Sequence, residues 1–298
     1  MFASIPHIGE IMALSSAAIW AVAVILFKKS GETAHPISLN IFKNILGVGL
    51  FFLTMLVFGQ VRFSYGTSRD LVLLLISGVL GIAISDTLFF KSLNLLGAGV
   101  SAIVNCLYSP FVIALSVLVL HEKLNLLQIA GILLILAAVL SGSSRPARIG
   151  SGRTDWIKGI VYAVAAIAAM AIGIVMVKPI LEQAPLLWVV EVRLLGGLAA
   201  LALILALHPN RKPIISSLFI KKGWVYIISG SVLGVYFSFL AWMAGMKYAQ
   251  ASIAAPLNQT ANLFIFIFAA LFLHERLTAR RIIGILIGLA GVLLTTWG

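Results

Sequence analysis

Charged residues are scarce in this chain of 298 residues. Asp, Glu, Lys and Arg together make up 10% of it, and only nine residues are acidic. A soluble domain of this size carries about 25% charged residues. Because 61% of the residues are hydrophobic and the mean hydropathy is +1.13, the composition excludes the soluble classes of enzyme and binding protein.

Motifs for covalent, metal or nucleotide chemistry are also missing. Cys106 is the single cysteine and lies in an apolar run, which excludes a disulfide framework and a cysteine metal site. There is no GxxxxGK[ST] phosphate loop and no GxSxG elbow. His121-Glu122 and His274-Glu275 lack the second histidine of HExxH. We therefore predict no enzymatic activity, no cofactor and no metal site.

Long apolar runs fill the chain instead. A helix that crosses a bilayer needs about 20 mostly apolar residues, and continuous rather than alternating runs exclude membrane strands. The sequence predicts an all-α integral membrane protein. Its ten transmembrane helices are predicted at 9–27, 37–58, 71–93, 98–120, 126–142, 156–178, 186–207, 224–247, 251–273 and 280–297.

The second half of the chain repeats the first. Residues 120–124 read LHEKL and residues 273–277 read LHERL, an offset of 153 at which Asn105 also matches Asn258. Self-similarity of this kind indicates an internal duplication. Each half contains five predicted spans. Because five is odd, the second half enters the membrane from the opposite side, and the chain is predicted to form two inverted five-helix repeats.

The predicted repeats cover residues 1–144 and 156–298, with a linker at 145–155. At an offset of 150, Lys43 in the second span matches Arg193 in the seventh. Inverted repeats are the architecture by which many secondary transporters alternate access around a central site. The duplication therefore favours transport over an intramembrane enzyme or a non-transporting membrane scaffold, which remain the alternatives.

The segments between spans, here called links and numbered in chain order, carry basic residues that predict the orientation. Fourteen of the 21 Lys and Arg residues lie in odd-numbered links, five lie in even-numbered links, and two lie within spans. The positive-inside rule then places the odd links in the cytoplasm and both termini outside. We expect a multi-pass protein of the bacterial inner membrane. The formal net charge of +12 indicates contact with lipid headgroups rather than nucleic acid.

Four charged residues lie more than one helical turn inside predicted spans, where a charge is costly and usually faces a cavity or a partner. Lys43 and Asp86 lie at similar depths from one membrane face, as does Asn105, so these three side chains are predicted to meet. Glu191 and Arg193 are two residues apart on one helix and need separate partners. An ion pair that only locks helices together is the alternative interpretation.

Polar residues form matched stripes on two further spans. These stripes, together with two aromatic residues, make up the predicted substrate-binding set: Asn105, Tyr108, Ser109, Asn258, Gln259, Asn262, Trp20 and Tyr236. Stripes from two inverted helices would line opposite walls of one cavity near the membrane midplane. Interhelical hydrogen bonding and anchoring at the membrane interface are the alternatives.

The repeated turns carry a family resemblance. Each LHE(K/R)L turn has Gly-Ile-Leu a few residues later, Trp20 lies in the first span, and prolines precede Lys43 and Arg193. With Pro110 in the fourth span, these features resemble the drug/metabolite transporter superfamily in its ten-helix EamA type. The chain departs from the common pattern in having Leu263 opposite Pro110 and Lys rather than Arg at position 43.

The resemblance implies secondary transport of a small metabolite, with an amino acid or related amphipathic solute as the best candidate and export as the direction. Asp86 and Glu191 are the only acidic residues well inside spans, so protons, if they are a coupling partner, would use one of them. A facilitative exchanger or uniporter of another metabolite class is the alternative. The chain is expected to work among membrane lipids as a monomer or a homodimer.

Overall fold

A computed structural model describes residues 7–60, 65–120, 125–142, 153–219, 223–274 and 278–297. Nearly all of these residues are helical, and none of them forms a strand. Every predicted span corresponds to one rod, by which we mean a single helix or two helices joined end to end. The ten rods are α1 (Ile8–Ser30), α2 (Pro36–Val57), α3 (Ser68–Leu96), α4 (Ala98–Asn105 continued by Tyr108–Leu120), α5 (Leu126–Gly142), α6 (Arg153–Gln183), α7 (Leu186–Leu207), α8 (Trp224–Tyr248), α9 (Ala251–Asn258 continued by Ala261–Leu273) and α10 (Ala279–Trp297).

Seven of the described rods, α1 to α4 and α6 to α8, are long and apolar enough to cross a membrane. The other three contain shorter apolar helical stretches at Leu126–Ile135, Ala261–Leu273 and Ile282–Gly291. The prediction of an all-helical, multi-pass membrane protein is confirmed. Most of the LHE(K/R)L turns and most of the 145–155 linker lie outside the described residues.

The helices begin and end where the sequence supplies local signals. Pro36 occupies the first turn of α2, and the His35 side chain accepts a hydrogen bond from a backbone amide of that turn. Thr67 and Asp70 form a capping box at the start of α3. Gly97, with a φ of 80°, separates α3 from α4. Only glycine takes this backbone region without strain, so the chain reverses there without a longer loop.

Helices of each half pack against helices of the other half in a reciprocal pattern. The first helix of each half packs against the third helix of the other half, so α1 lies on α8 and α6 lies on α3. Equivalent helices also pack on each other, α2 on α7, α4 on α9 and α5 on α10. Such reciprocal contacts are typical of a two-fold arrangement. The opposite orientation of the halves across the membrane stays a prediction.

Irregular backbone recurs at equivalent positions. A π-helical stretch occupies Val79–Ile84 in α3 and Val232–Ser238 in α8. The helical run of α4 breaks at residues 106–107 and that of α9 at 259–260, an offset of 153. In α4 the break has a direct cause, because Pro110 has no amide hydrogen to donate to the carbonyl four residues earlier. The duplication seen in the sequence is therefore also present in local geometry.

Two serines make the same contact in the two halves. Ser85 Oγ of α3 donates a hydrogen bond of 2.8 Å to the Ala166 carbonyl of α6. Ser238 Oγ of α8 donates one of 3.2 Å to the Ser16 carbonyl of α1. The donors are 153 residues apart and the acceptors 150, which are the offsets found in the sequence.

Small residues on α8 and α10 serve packing within the bundle. A Cβ added at Gly234 would lie 2.9 Å from the Phe27 ring, and one added at Gly230 would lie 3.2 Å from the same ring. On α10, Gly288 faces Cys106 of α4 at 3.4 Å by the same measure. These glycines allow helices to approach closely, as small residues do in membrane bundles.

Candidate functional site

A central cavity of about 130 Å³ lies between the two halves. Residues from eight of the described rods, α1 to α4 and α6 to α9, line it, and both halves contribute equivalent walls. The equivalent positions differ by 150 in the first two helices of each half and by 153 in the third and fourth. The lining pairs are Ser16 and Ala166, Trp20 and Met170, Asn44 and Leu194, Gly81 and Gly234, Ile82 and Val235, Ser85 and Ser238, Asp86 and Phe239, Phe89 and Trp242, and Asn105 and Asn258.

An ion pair lies in the wall formed by α2 and α3. Lys43 Nζ donates a hydrogen bond of 2.6 Å to Asp86 Oδ2, and the two side chains are only 5% and 14% exposed. The same ammonium lies 5.9 Å from the centroid of the Phe90 ring. Asn105 lines the same cavity. The structure thus brings Lys43, Asp86 and Asn105 to one site, as their depths in the sequence predict.

Two asparagines hold the backbone next to this ion pair. Asn40 Nδ2 donates hydrogen bonds of 2.9 Å to the Ile82 carbonyl and to Thr87 Oγ1. Asn44 Nδ2 in turn donates to Asn40 Oδ1 at 2.8 Å. A π-helical stretch departs from regular helical hydrogen bonding, and the Ile82 carbonyl lies within one. The asparagines fix the irregular part of α3 against α2.

Arg193 of α7 lies behind the cavity wall, beside Gly81 of α3 and Phe239 of α8, and is completely buried. Its Nη1 donates to Met243 Sδ at 3.0 Å, and its Cζ lies 5.9 Å from the Phe239 ring centroid and 5.7 Å from that of Trp242. Among the described residues, its Nε and Nη2 have no hydrogen-bond partner. Aromatic faces attract the guanidinium without neutralising its charge.

Lys43 and Arg193 differ in the side chain that each contacts on the neighbouring helix. Arg193 is the repeat equivalent of Lys43, and Phe239 is the repeat equivalent of Asp86. Lys43 contacts a carboxylate, whereas Arg193 contacts an aromatic ring at the matching position. The duplication gives the cavity symmetric walls, but its charges are not symmetric.

Side-chain amides connect α4 to α9 beside the cavity. Asn105 Nδ2 donates to Asn262 Oδ1 at 3.1 Å, and Asn262 Nδ2 donates to Gln259 Oε1. On the other side, Asn258 Nδ2 donates to Ser16 Oγ at 3.1 Å. Asn105, Asn258 and Gln259 line the central cavity, while Asn262 lines a small neighbouring space. Interhelical hydrogen bonding and cavity lining therefore occur together.

Two of the predicted aromatic and phenolic side chains reach the cavity. Trp20 lines it, and its ring centroid lies 5.9 Å from that of Phe89, another lining residue. Tyr108 also lines it, and its buried hydroxyl has no hydrogen-bond partner among the described residues. The walls thus combine aromatic surface with polar groups, which suits an amphipathic ligand.

Ser109 and Tyr236 do not line the cavity, contrary to the sequence-based expectation. Ser109 is fully buried beside Tyr108 and lies on another side of α4. The Tyr236 hydroxyl is 2.6 Å from Thr54 Oγ1, and its ring centroid lies 5.0 Å from that of Phe51. Tyr236 lies within the π-helical stretch of α8 and faces α2.

The two ionisable residues predicted near the start of α7 do not line the cavity either. Arg193 lies one layer behind the wall, as described above. Glu191 is 7% exposed, and its Oε2 has no hydrogen-bond partner within the part of the chain that the structure describes. Because the two positions are separated by about 200° around a helix, they point to different surroundings.

Several cavity residues are not marked as ligand contacts by any sequence pattern used above. They include Ser16, Asn44, Ser85, Phe89, Ser238 and Phe239. The match of Ser85 with Ser238 at the offset of 153 is a signal that could have found two of them. Within the described ranges, no three His, Cys, Asp or Glu side chains come together as metal ligands. The arrangement is suited to binding a small molecule.

Comparison with known proteins agrees with this architecture. The profile of the EamA-like transporter family matches residues 7–142 and 157–297. An uncharacterized transporter from Archaeoglobus fulgidus is 25% identical over 289 residues, covering 95% of this chain and 96% of that protein. A protein crystal structure that is 17% identical has a similar fold, with a TM-score of 0.74 over 97% of this chain and 96% of the other. The chain belongs to the EamA-like transporter family and is a multi-pass membrane transporter.

Proposed function

We propose that the protein is a secondary active transporter that exports a small amphipathic metabolite, an amino acid or a related solute, by alternating access and without an enzymatic step. The observation that carries this proposal is the lining of one central cavity by equivalent residues of both halves. A wall built twice from one structural unit can close on either side of a bound solute by the same movement.

The walls provide complementary contacts for such a solute. Lys43 and Asp86 offer one charge of each sign, and the Asn105 and Asn258 amides offer hydrogen-bond donors and acceptors. Trp20, together with other aromatic residues, supplies apolar surface. A few polar groups within a mainly apolar pocket are typical of small-molecule sites.

Energy coupling depends on the ion pair in this proposal. A proton on Asp86 removes the charge that would bind a solute's ammonium group, so protonation and solute binding exclude each other, as export driven by inward proton movement requires. This gives protons and solute a shared site, through which binding of one changes the affinity for the other. A facilitative exchanger of another metabolite class is the second candidate, because the Lys43–Asp86 contact of 2.6 Å can also serve as a fixed structural pair.

Counterflow in proteoliposomes tests the proposal. Purified protein should exchange internal unlabelled solute for external labelled solute within a panel of amino acids and related metabolites. Asn105→Leu and Asn258→Leu should each lose saturable flux, because they remove polar groups from the cavity wall. Asn210→Leu is the matched control, since Asn210 is exposed in the link after α7. Absence of counterflow across the panel would contradict the proposed substrate class.

A further inference from the structure

The charges around the cavity do not cancel. Lys43 and Asp86 form one neutral pair, and Arg193 adds a positive charge behind the wall. Asp86 is already held by Lys43 at 2.6 Å. Among the described residues, no carboxylate forms an ion pair with Arg193. The positive charge of Arg193 is therefore left without a carboxylate partner.

Arg193 lies close enough to the cavity to influence its contents. A Cβ added at Gly81, a lining residue, would lie 3.1 Å from Arg193 Nη2. The guanidinium also faces Phe239 and Trp242, which line the cavity themselves. Its Nε and Nη2 have no hydrogen-bond partner among the described residues. Arginine keeps its charge in such surroundings, so the charge persists when the site is dry.

We infer that Arg193 is a specificity-determining residue that selects solutes with a net charge of −1, carried by a carboxylate. This inference rests on the proposed transport function and narrows its substrate class. A solute of charge −1 neutralises the cavity, a zwitterion leaves one positive charge, and a cation increases the charge to two. Because the walls are largely shielded from water, electrostatic interactions are stronger there than in bulk water.

The inference makes a direct prediction about isosteric solutes. Glutamate has a net charge of −1, whereas glutamine, of nearly the same shape, has a net charge of zero. 4-Carboxyphenylalanine and 4-carbamoylphenylalanine form a second pair with an aromatic side chain. In competition counterflow, each anion should inhibit at a concentration about tenfold lower than its zwitterionic partner, and lysine should inhibit least.

Substitution of Arg193 tests whether its charge causes the preference for anions. Arg193→Gln should remove the roughly tenfold preference for glutamate over glutamine, while Arg193→Lys should retain most of it. Fluorescence-detected size-exclusion chromatography would report whether each variant folds. If Arg193→Gln does not fold, the wild-type charge series still decides the anion preference, and Arg193→Met, which keeps most of the apolar stem, tests the role of the charge in the same way.

The outcomes separate the two proposals. Equal or better inhibition by zwitterions or by lysine would overturn the anion preference and leave the transport function intact. Retention of the preference in a folded Arg193→Gln variant would overturn the role of Arg193. Absence of counterflow with every solute would overturn the proposed class of amino acids and related solutes, and this inference with it.

Discussion

Lys178 of α6 and Lys247 of α8 each hold the carboxyl end of the other's helix. Lys178 Nζ donates to the Met246 and Ala249 carbonyls at 2.5 and 2.8 Å. Lys247 Nζ donates to the Leu181 carbonyl at 2.6 Å. Carbonyl groups at helix ends lack partners within the helix and carry partial negative charge. The two lysines satisfy these groups and connect the helix ends.

The first half has a related contact. Lys28, the repeat equivalent of Lys178, donates to the Asn94 carbonyl at 3.4 Å. If the halves are inverted, the two contacts lie at opposite membrane faces.

Removal of the Lys247 ammonium group should loosen the connection between α6 and α8. Lys247→Met keeps most of the apolar stem but removes the charged donor, and we expect it to lower stability by about 1 to 3 kcal/mol. Thermal unfolding in detergent, followed by intrinsic tryptophan fluorescence, measures the change. Lys212→Met, at an exposed position after α7, is the matched control. Equal midpoints for the two variants would contradict this role.

Asp86→Asn should separate proton coupling from solute exchange. The amide cannot carry the proton, so flux driven by a pH gradient should be lost while solute exchange continues. Flux measured with and without an imposed gradient tests this, and Asp155→Asn, at the start of α6, is the control. Unchanged pH dependence would remove Asp86 from this role and favour the exchanger or uniporter.

Gly78→Ala should disrupt the contact between α3 and α7. An added Cβ would fall on the backbone carbonyl oxygen of Arg193, which a side-chain rotation cannot relieve. We expect destabilisation of about 1 to 3 kcal/mol, the usual cost of overpacking. Gly49→Ala is the control, because nothing lies within 4 Å of its added Cβ. Thermal unfolding of both variants provides the comparison, and similar midpoints would contradict the close approach.

The inverted orientation can be tested by cysteine labelling. Glu32 follows α1 and Gln183 ends α6, and both side chains are exposed. On a Cys106→Ala background, a membrane-impermeant maleimide should label Gln183→Cys in intact cells. It should label Glu32→Cys only after permeabilisation, because odd-numbered links are predicted to be cytoplasmic. Labelling of both from one side would show that the repeats are not inverted.

The position of some site residues can be predicted from the sequence, and that of others cannot. The meeting of Lys43 and Asp86 can be predicted because depth along two neighbouring spans is readable from residue numbers. The direction of Tyr236 cannot, because Tyr236 lies within the π-helical stretch of α8 and no sequence pattern reveals that stretch. Arg193 stands out in the sequence as a charged residue within a span, but its position behind the cavity wall depends on packing.

Apolar runs and repeated motifs are linear features, and they are enough to predict a helical membrane protein built from two related halves. The direction in which each side chain points cannot be read from such linear features. Helices such as α7 are apolar on nearly every side, so no polar face marks the side that turns toward the cavity. The lining of the cavity, and the contact of Arg193 with aromatic rings rather than with a carboxylate, therefore follow only from the way the helices pack.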